Sequence, residues 1–274
     1  MAKKKNVNEM SFLHHLEDLR WLLVRSSVAI ILMAFVTYFF SGFIFDNIIF
    51  GPTDPNFITY RFFCELAQTI GITGDICVKE LPFIIQNTSM EGQINTFIWT
   101  CITAGFILAF PYILYELWKF ISPALYEKEK KNALGFIVIS SLLFFLGVIF
   151  GYFIIVPLSI NFVATFSVSS VVKNEFNLDS YIGMIKTSVI AAGLFFELPV
   201  IIYFLTKLGL VGPNFLRKYR KYAILILLII AAIVTPPDVV SQITVAIPML
   251  LIYEASIWIS VFVENKKMKD EQIS

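Results

Sequence analysis

A chain of 274 residues that is 58 % hydrophobic, with a mean hydropathy of +0.79, exceeds the roughly 45–50 % apolar share of a soluble domain. A globule of this length has too little interior to hide the excess, so an ordinary soluble enzyme or binding module is excluded. The formal net charge is only +1, which gives no basic balance pointing to nucleic acid, and the charges are gathered into short blocks.

The basic start, with Lys3, Lys4 and Lys5, leads into an apolar run that continues to Phe45 with no small-residue cleavage site. That is longer than a signal-peptide core and reads as a retained first span. Crossing a ~30 Å hydrocarbon core takes about 20 apolar residues. Runs of this kind lie at about 21–45, 96–120, 134–158, 181–205 and 243–262, and a shorter one at 222–234. The short run, at 1.5 Å per residue, reaches only about 20 Å before the TPPD turn (Thr235 to Asp238) stops it. The fold expected is an all-α membrane protein of six transmembrane helices in a single integral domain, residues 1–274.

Orientation follows from Lys and Arg, which gather on the inner side of bacterial membranes. Arg20 and Arg25 accompany the three N-terminal lysines, and Lys119, Lys128, Lys130 and Lys131 follow the second span. Lys207, Arg217, Lys218, Arg220 and Lys221 lie between the fourth and fifth, and Lys266, Lys267 and Lys269 in the C-terminal tail. The opposite side holds Arg61, Lys79 and Lys173, with Lys186 near the start of the fourth span. Both termini are therefore expected in the cytoplasm. The stretch 46–95 is expected outside, broken into short pieces by Gly51, Pro52, Pro55, Gly71, Gly74 and Pro82.

Several segments carry more than a span requires. HHLEDLR (His14 to Arg20) places leucines among charges at helical spacing, as in an amphipathic entry helix at the membrane surface. Composition alone makes it an interfacial anchor. WKFISPALYEKEKK (Trp118 to Lys131) leaves the second span, and Pro123 ends or kinks its helix. Its acidic residues Glu127 and Glu129 stand in a loop otherwise selected for positive charge. Glu197, in GLFFELPV, puts a costly carboxylate near the middle of the fourth run, and Pro199 follows it. Pro111, Pro157, Pro199 and Pro248 all fall within spans, where each is expected to bend its helix. Glu254 is a second acid, nearer the cytoplasmic end of the last run.

Cys64 and Cys77 share the outer loop, where an oxidising compartment permits pairing, but spacing leaves open whether they pair. Cys101 reads as a small apolar filler. His14 and His15 are adjacent and so diverge on a helix, which argues against a two-His metal site. HExxH, Walker and GxSxG motifs are absent, so no metal, cofactor or catalytic residue is expected.

Taken together these segments resemble the TatC family, the signal-recognising core subunit of the twin-arginine protein translocase. HLEDLR (His15 to Arg20) resembles the family's HLxELR, with Asp18 where Glu is usual. The PALY segment around Tyr126, FELPV (Phe196 to Val200), TPPDVVSQ (Thr235 to Gln242) and AIPMLLIYE (Ala246 to Glu254) match in order and spacing. The departures are Asp18, one methylene shorter, and an outer loop longer than the family suggests.

The resemblance implies a receptor in the bacterial cytoplasmic (inner) membrane, not an enzyme. Its bent helices would form a concave scaffold that binds twin-arginine signal peptides of folded precursors. It implies single-span TatA-type partners, with TatB in many bacteria, a homo-oligomer within the receptor complex, and drive by the protonmotive force. It assigns Asp18 and Glu129 to the signal's arginine pair, with Arg20, Phe120, Pro123 and Tyr126 shaping that surface. Glu197 would meet polar groups of a partner helix within the membrane. Two guanidiniums can each form a forked, charge-assisted pair with a carboxylate, a geometry Lys cannot copy. The alternative is a proton-coupled secondary transporter using Glu197. That reading predicts matching broken helices in two halves, and the sequence shows no internal repeat.

Overall fold

The computed structural model describes residues 12–70, 77, 81–122, 133–169, 173–235 and 239–273. Outside these lie Lys3, Lys4, Lys5, Lys79, Pro123, Tyr126, Glu127, Lys128, Glu129, Lys130, Lys131, most of the TPPD turn (Pro236 to Asp238) and Ser274. The described helices are α1 (Phe12–Phe39), α2 (Ile58–Ile70), α3 (Gly92–Ile121), α4 (Ala133–Phe150) and α5 (Val156–Thr165). They continue with α6 (Leu178–Phe196), α7 (Leu198–Lys207), α8 (Pro213–Lys218), α9 (Arg220–Val234) and α10 (Val239–Ile273).

Among the described residues, five stretches are long and apolar enough to cross a membrane: His15–Phe39, Gly92–Ile121, Leu134–Thr165, Leu178–Lys207 and Gln242–Lys266. They overlie five of the six expected runs. The remaining one is α9, whose 15 residues give about 22 Å, short of a ~30 Å core.

The boundaries shift for local reasons. HHLEDLR continues into the first span as one helix, so α1 begins at Phe12. It is interrupted at Phe40, whose φ of −100° and ψ of 13° leave the helical range, and the apolar run resumes in a helical turn, Ser41–Phe43, that passes into a π-turn, Ile44–Ile49. The third run reaches Thr165 through a π-segment, Gly151–Ile155, with Pro157 in the first turn of α5. Its missing N–H leaves the Phe153 carbonyl one turn earlier free to accept from the Thr59 hydroxyl at 2.5 Å. Pro111 and Pro248 lie inside the continuous helices α3 and α10.

The chain divides into two compact units. Unit one comprises Met1–Phe39 and Cys101–Ser141. In it α1 runs antiparallel to the C-terminal part of α3. Gly105 lets the two backbones touch, since a Cβ there would lie 2.5 Å from the Ala34 nitrogen and 2.8 Å from the Ile30 oxygen. The Thr37 hydroxyl donates to the Cys101 carbonyl at 3.1 Å. Trp118 packs on Phe136 with ring centroids 4.8 Å apart. Cys101 is the buried filler expected.

Unit two comprises Phe40–Thr100 and Leu142–Ser274. Its core joins Ile155, Ala192, Ile202, Ala231, Met249 and Tyr253, drawn from the π-segment and α6, α7, α9 and α10. Gly147 admits α6 closely, because a Cβ would meet the Ala192 oxygen at 2.6 Å. Between α7 and α10 the hydroxyls of Thr206 and Ser260 hydrogen-bond at 2.9 Å while buried.

The long loop in this unit is organised where the sequence showed only punctuation. β1 (Ile84–Gln86) pairs in parallel with β2 (Glu175–Asn177), a departure from an all-helical expectation. Three-residue strands leave no readable alternation in sequence. Tyr60 donates to the carbonyls of Pro52 at 3.1 Å and Pro157 at 3.2 Å, and burial pushes its phenol well above the ordinary range. Tyr181 donates to Ile49 at 2.9 Å, and Thr96 to Asp179.

Cys64 and Cys77 form a disulfide across 13 residues. Closing a loop of that length is worth about 3 kcal/mol or less. Replacing both with Ser should lower the thermal midpoint of the purified protein and open the loop to protease. Reductant should do the same to the native chain and nothing more to the variant. A native chain indifferent to reductant would show that the bridge stabilises nothing.

Candidate functional site

The entry helix brings its residues to one end of unit one. His15 stacks on Phe120, with ring centroids 4.4 Å apart and planes 23° from parallel, where the start of α1 meets the end of α3. Asp18 lies three residues on, hence on the same face, and is half-buried. Arg20 is exposed, with its guanidinium 5.4 Å from the centre of the Trp21 ring. Of the expected signal-binding residues, Asp18, Arg20 and Phe120 are thus described here. Pro123, Tyr126 and Glu129 lie outside the described residues.

Deeper along the same helix pair is a group that motif reading missed. The Arg25 guanidinium donates to Glu116 at 3.0 Å, with Arg25 41 % and Glu116 6 % exposed as side chains. The Tyr112 hydroxyl donates to the other Glu116 oxygen at 3.2 Å, so both carboxylate oxygens are engaged. The signal for it was present: one cation and one anion, each a few residues inside an apolar run, at matching depths in antiparallel helices. Arg25 is also 6.0 Å from the Trp21 ring centre, so Trp21 lies against two guanidiniums.

Glu197 lies in unit two, 6 % exposed, at the one-residue break between α6 and α7. Its N–H donates to Leu194 at 3.1 Å, and its carbonyl accepts from Val200 and Ile201 at 3.0 Å each. Pro199 explains the break: without an N–H it starts a new helix better than it continues an old one. Phe196, beside it, packs on Phe150 at 5.5 Å. Glu254 is paired with Arg220 at 2.6 Å.

Nothing in this set resembles a nucleophile with its base, and among the described residues no His, Cys, Asp and Glu cluster could hold a metal. The polar groups are suited to holding a guanidinium or a helix.

The chain is similar to known proteins over nearly its whole length. A family model described as Sec-independent protein translocase protein (TatC) matches residues 14–248. A TatC from Blattabacterium sp. subsp. Periplaneta americana is 45 % identical, the match covering 96 % of this chain and 100 % of that one. TatCy of Bacillus subtilis is 36 % identical, covering 97 % and 94 %. A crystal structure described as the twin arginine translocase receptor TatC superposes with a TM-score of 0.69 at 31 % identity, covering 91 % of this chain and 99 % of that one. These relatives give the secondary-transporter alternative no support. The five long apolar helices make this a multi-pass membrane protein, and the chain belongs to the TatC family of Sec-independent protein translocase proteins, a transport family and not an enzyme family.

Proposed function

We propose that this chain is the receptor subunit of a twin-arginine translocase in a bacterial cytoplasmic membrane, recognising the signal peptides of folded precursors. The observation that supports it most is the meeting of α1 and α3, where HLEDLR, carrying Asp18, stacks through His15 on Phe120. Asp18 and Glu129 hold the signal's two guanidiniums, while Arg20, Phe120, Pro123 and Tyr126 shape the surface around them. An exposed ion pair is worth only about 0.2–1 kcal/mol, so charge supplies selectivity and the signal's apolar stretch supplies most of the affinity. Modest affinity suits a cargo that must be released.

The experiment is binding of a twin-arginine signal peptide, and of the same peptide with two lysines, to the purified chain. Weaker binding of the lysine peptide is expected; equal binding would remove the forked-pair reading.

The same reading gives six spans, α9 being the short fifth, with both termini cytoplasmic. Reporters fused at Ser274 and near Gly74 should then report opposite compartments. A periplasmic report from Ser274 would remove a span.

TatA- or TatB-type single-span subunits dock within the membrane, and Glu197 is the polar group they meet. Glu197→Gln keeps the size and hydrogen-bonding shape of the side chain and should retain substantial export. Glu197→Ala should weaken partner crosslinking by several-fold, since interhelical bonds of this kind are worth about 0.6–2 kcal/mol. Normal export and crosslinking in the Ala variant would make Glu197 a tolerated interior residue.

A further inference from the structure

The segment between α7 and α9 is fixed on one side and charged on the other. Pro213 and Leu216 of α8 are buried, and Tyr253 of α10 donates to the Leu216 carbonyl at 3.1 Å. Arg220 is held by Glu254 at 2.6 Å, and the Glu264 carboxylate lies beside Gly212. The opposite side presents a row of rings: Phe215 stands 4.5 Å from Tyr219, and Tyr219 stands 6.0 Å from Tyr222. All three rings are exposed. The Lys218 ammonium lies 5.8 Å from the Tyr219 ring and that of Lys221 5.0 Å from the Tyr222 ring, with Arg217 exposed beside them. Among the described residues no carboxylate is within ion-pair distance of Arg217, Lys218 or Lys221. Immediately beyond, α9 exposes Leu225, Ile226 and Ile229.

We propose that Arg217, Lys218 and Lys221, with the rings of Phe215, Tyr219 and Tyr222, bind the phosphate headgroup of an anionic glycerophospholipid whose chains lie along Leu225 and Ile229. One ligand of this class satisfies both halves of the surface: an anion for three cations that no described carboxylate pairs, and chains for the apolar face that continues from them. A zwitterionic lipid brings its own cation toward the cluster and is disfavoured. The rings restrict two of the ammoniums, so less side-chain freedom is lost on binding. The proposal rests on the topology above only for the leaflet, which is that of the two termini.

The test uses the full-length protein in nanodiscs of equal phosphatidylglycerol and phosphatidylcholine, with native mass spectrometry of the lipid retained. The native chain should retain phosphatidylglycerol preferentially, and less so as salt is raised. Because each cation near an anionic lipid surface adds to the attraction, R217Q/K218Q/K221Q should cut that preference by about tenfold or more. Neutralising Lys3, Lys4 and Lys5 instead should leave it. Millimolar inorganic phosphate should not displace the lipid. The proposal is overturned by an unchanged preference, by equal loss in both triple variants, or by displacement with phosphate alone. Labelling of N214C with an impermeant thiol reagent decides the leaflet separately: modification from the side opposite the termini refutes the topology while the lipid preference still stands.

Discussion

Arg25→Ala should destabilise the protein more than Glu116→Ala, although each breaks the same ion pair. Glu116 is almost fully buried, so without its guanidinium it keeps only the Tyr112 hydroxyl. Arg25 is 41 % exposed and lies at the middle of α1 but only one turn inside its apolar part, which begins at Trp21, so its long side chain can turn its charge toward the headgroups. Removing one partner of a fully buried pair costs about 3–5 kcal/mol. The Arg25 change should approach the lower end of that range, and the Glu116 change should cost about 1–2 kcal/mol because the surviving cation can reach water. Replacing both, as R25M/E116L, should recover much of the loss, since two apolar groups leave no unpaired charge. Thermal unfolding of the purified variants, read by protease resistance of the α1–α3 pair, gives the order. A native-like Arg25→Ala chain would mean that Glu116 finds another partner or is not buried in the membrane.

Glu129→Lys should nearly abolish binding of a twin-arginine signal, whereas Asp18→Ala and Glu129→Ala should each weaken it about 2- to 5-fold. The smaller figures follow from about 0.2–1 kcal/mol per exposed pair, where RT is about 0.6 kcal/mol. Charge reversal adds repulsion of the guanidinium to loss of the attraction. Asp18→Glu, which lengthens the side chain by one methylene, should bind at least as well as the native chain. The effects at Asp18 should shrink as salt is raised, because that side chain is only half-buried. Signal affinity unchanged in both Ala variants would withdraw the assignment of these carboxylates.

The apolar runs located every long helix, because a hydrocarbon core demands about 20 apolar residues wherever a chain crosses it. They could not locate the ends, which depend on local devices: the break at Phe40 closing α1, the π-segment carrying the third run to Thr165, and Pro199 splitting the fourth. Glu197 was legible as a carboxylate in an apolar stretch, and its burial at a helix break required coordinates. Arg25 and Glu116 were each visible, but pairing them needs the antiparallel register of α1 and α3 that Gly105 permits. The Cys64–Cys77 bridge was undetermined because spacing carries no distance. The two short strands were invisible, and what aligns them is a pair of loops 89 residues apart, joined by Gln86 to Glu175 and Asn177 to Thr88.

The central claim is tested most directly by a photoreactive residue placed beside the arginine pair of a signal peptide and irradiated with the chain in membranes. Mass spectrometry of the adducts should find them on His15 to Arg20 and on Phe120 to Glu129. They should be lost with a twin-lysine peptide and in the Glu129→Lys chain. Adducts confined to α6 through α10, or identical adducts from the twin-lysine peptide, would contradict the account.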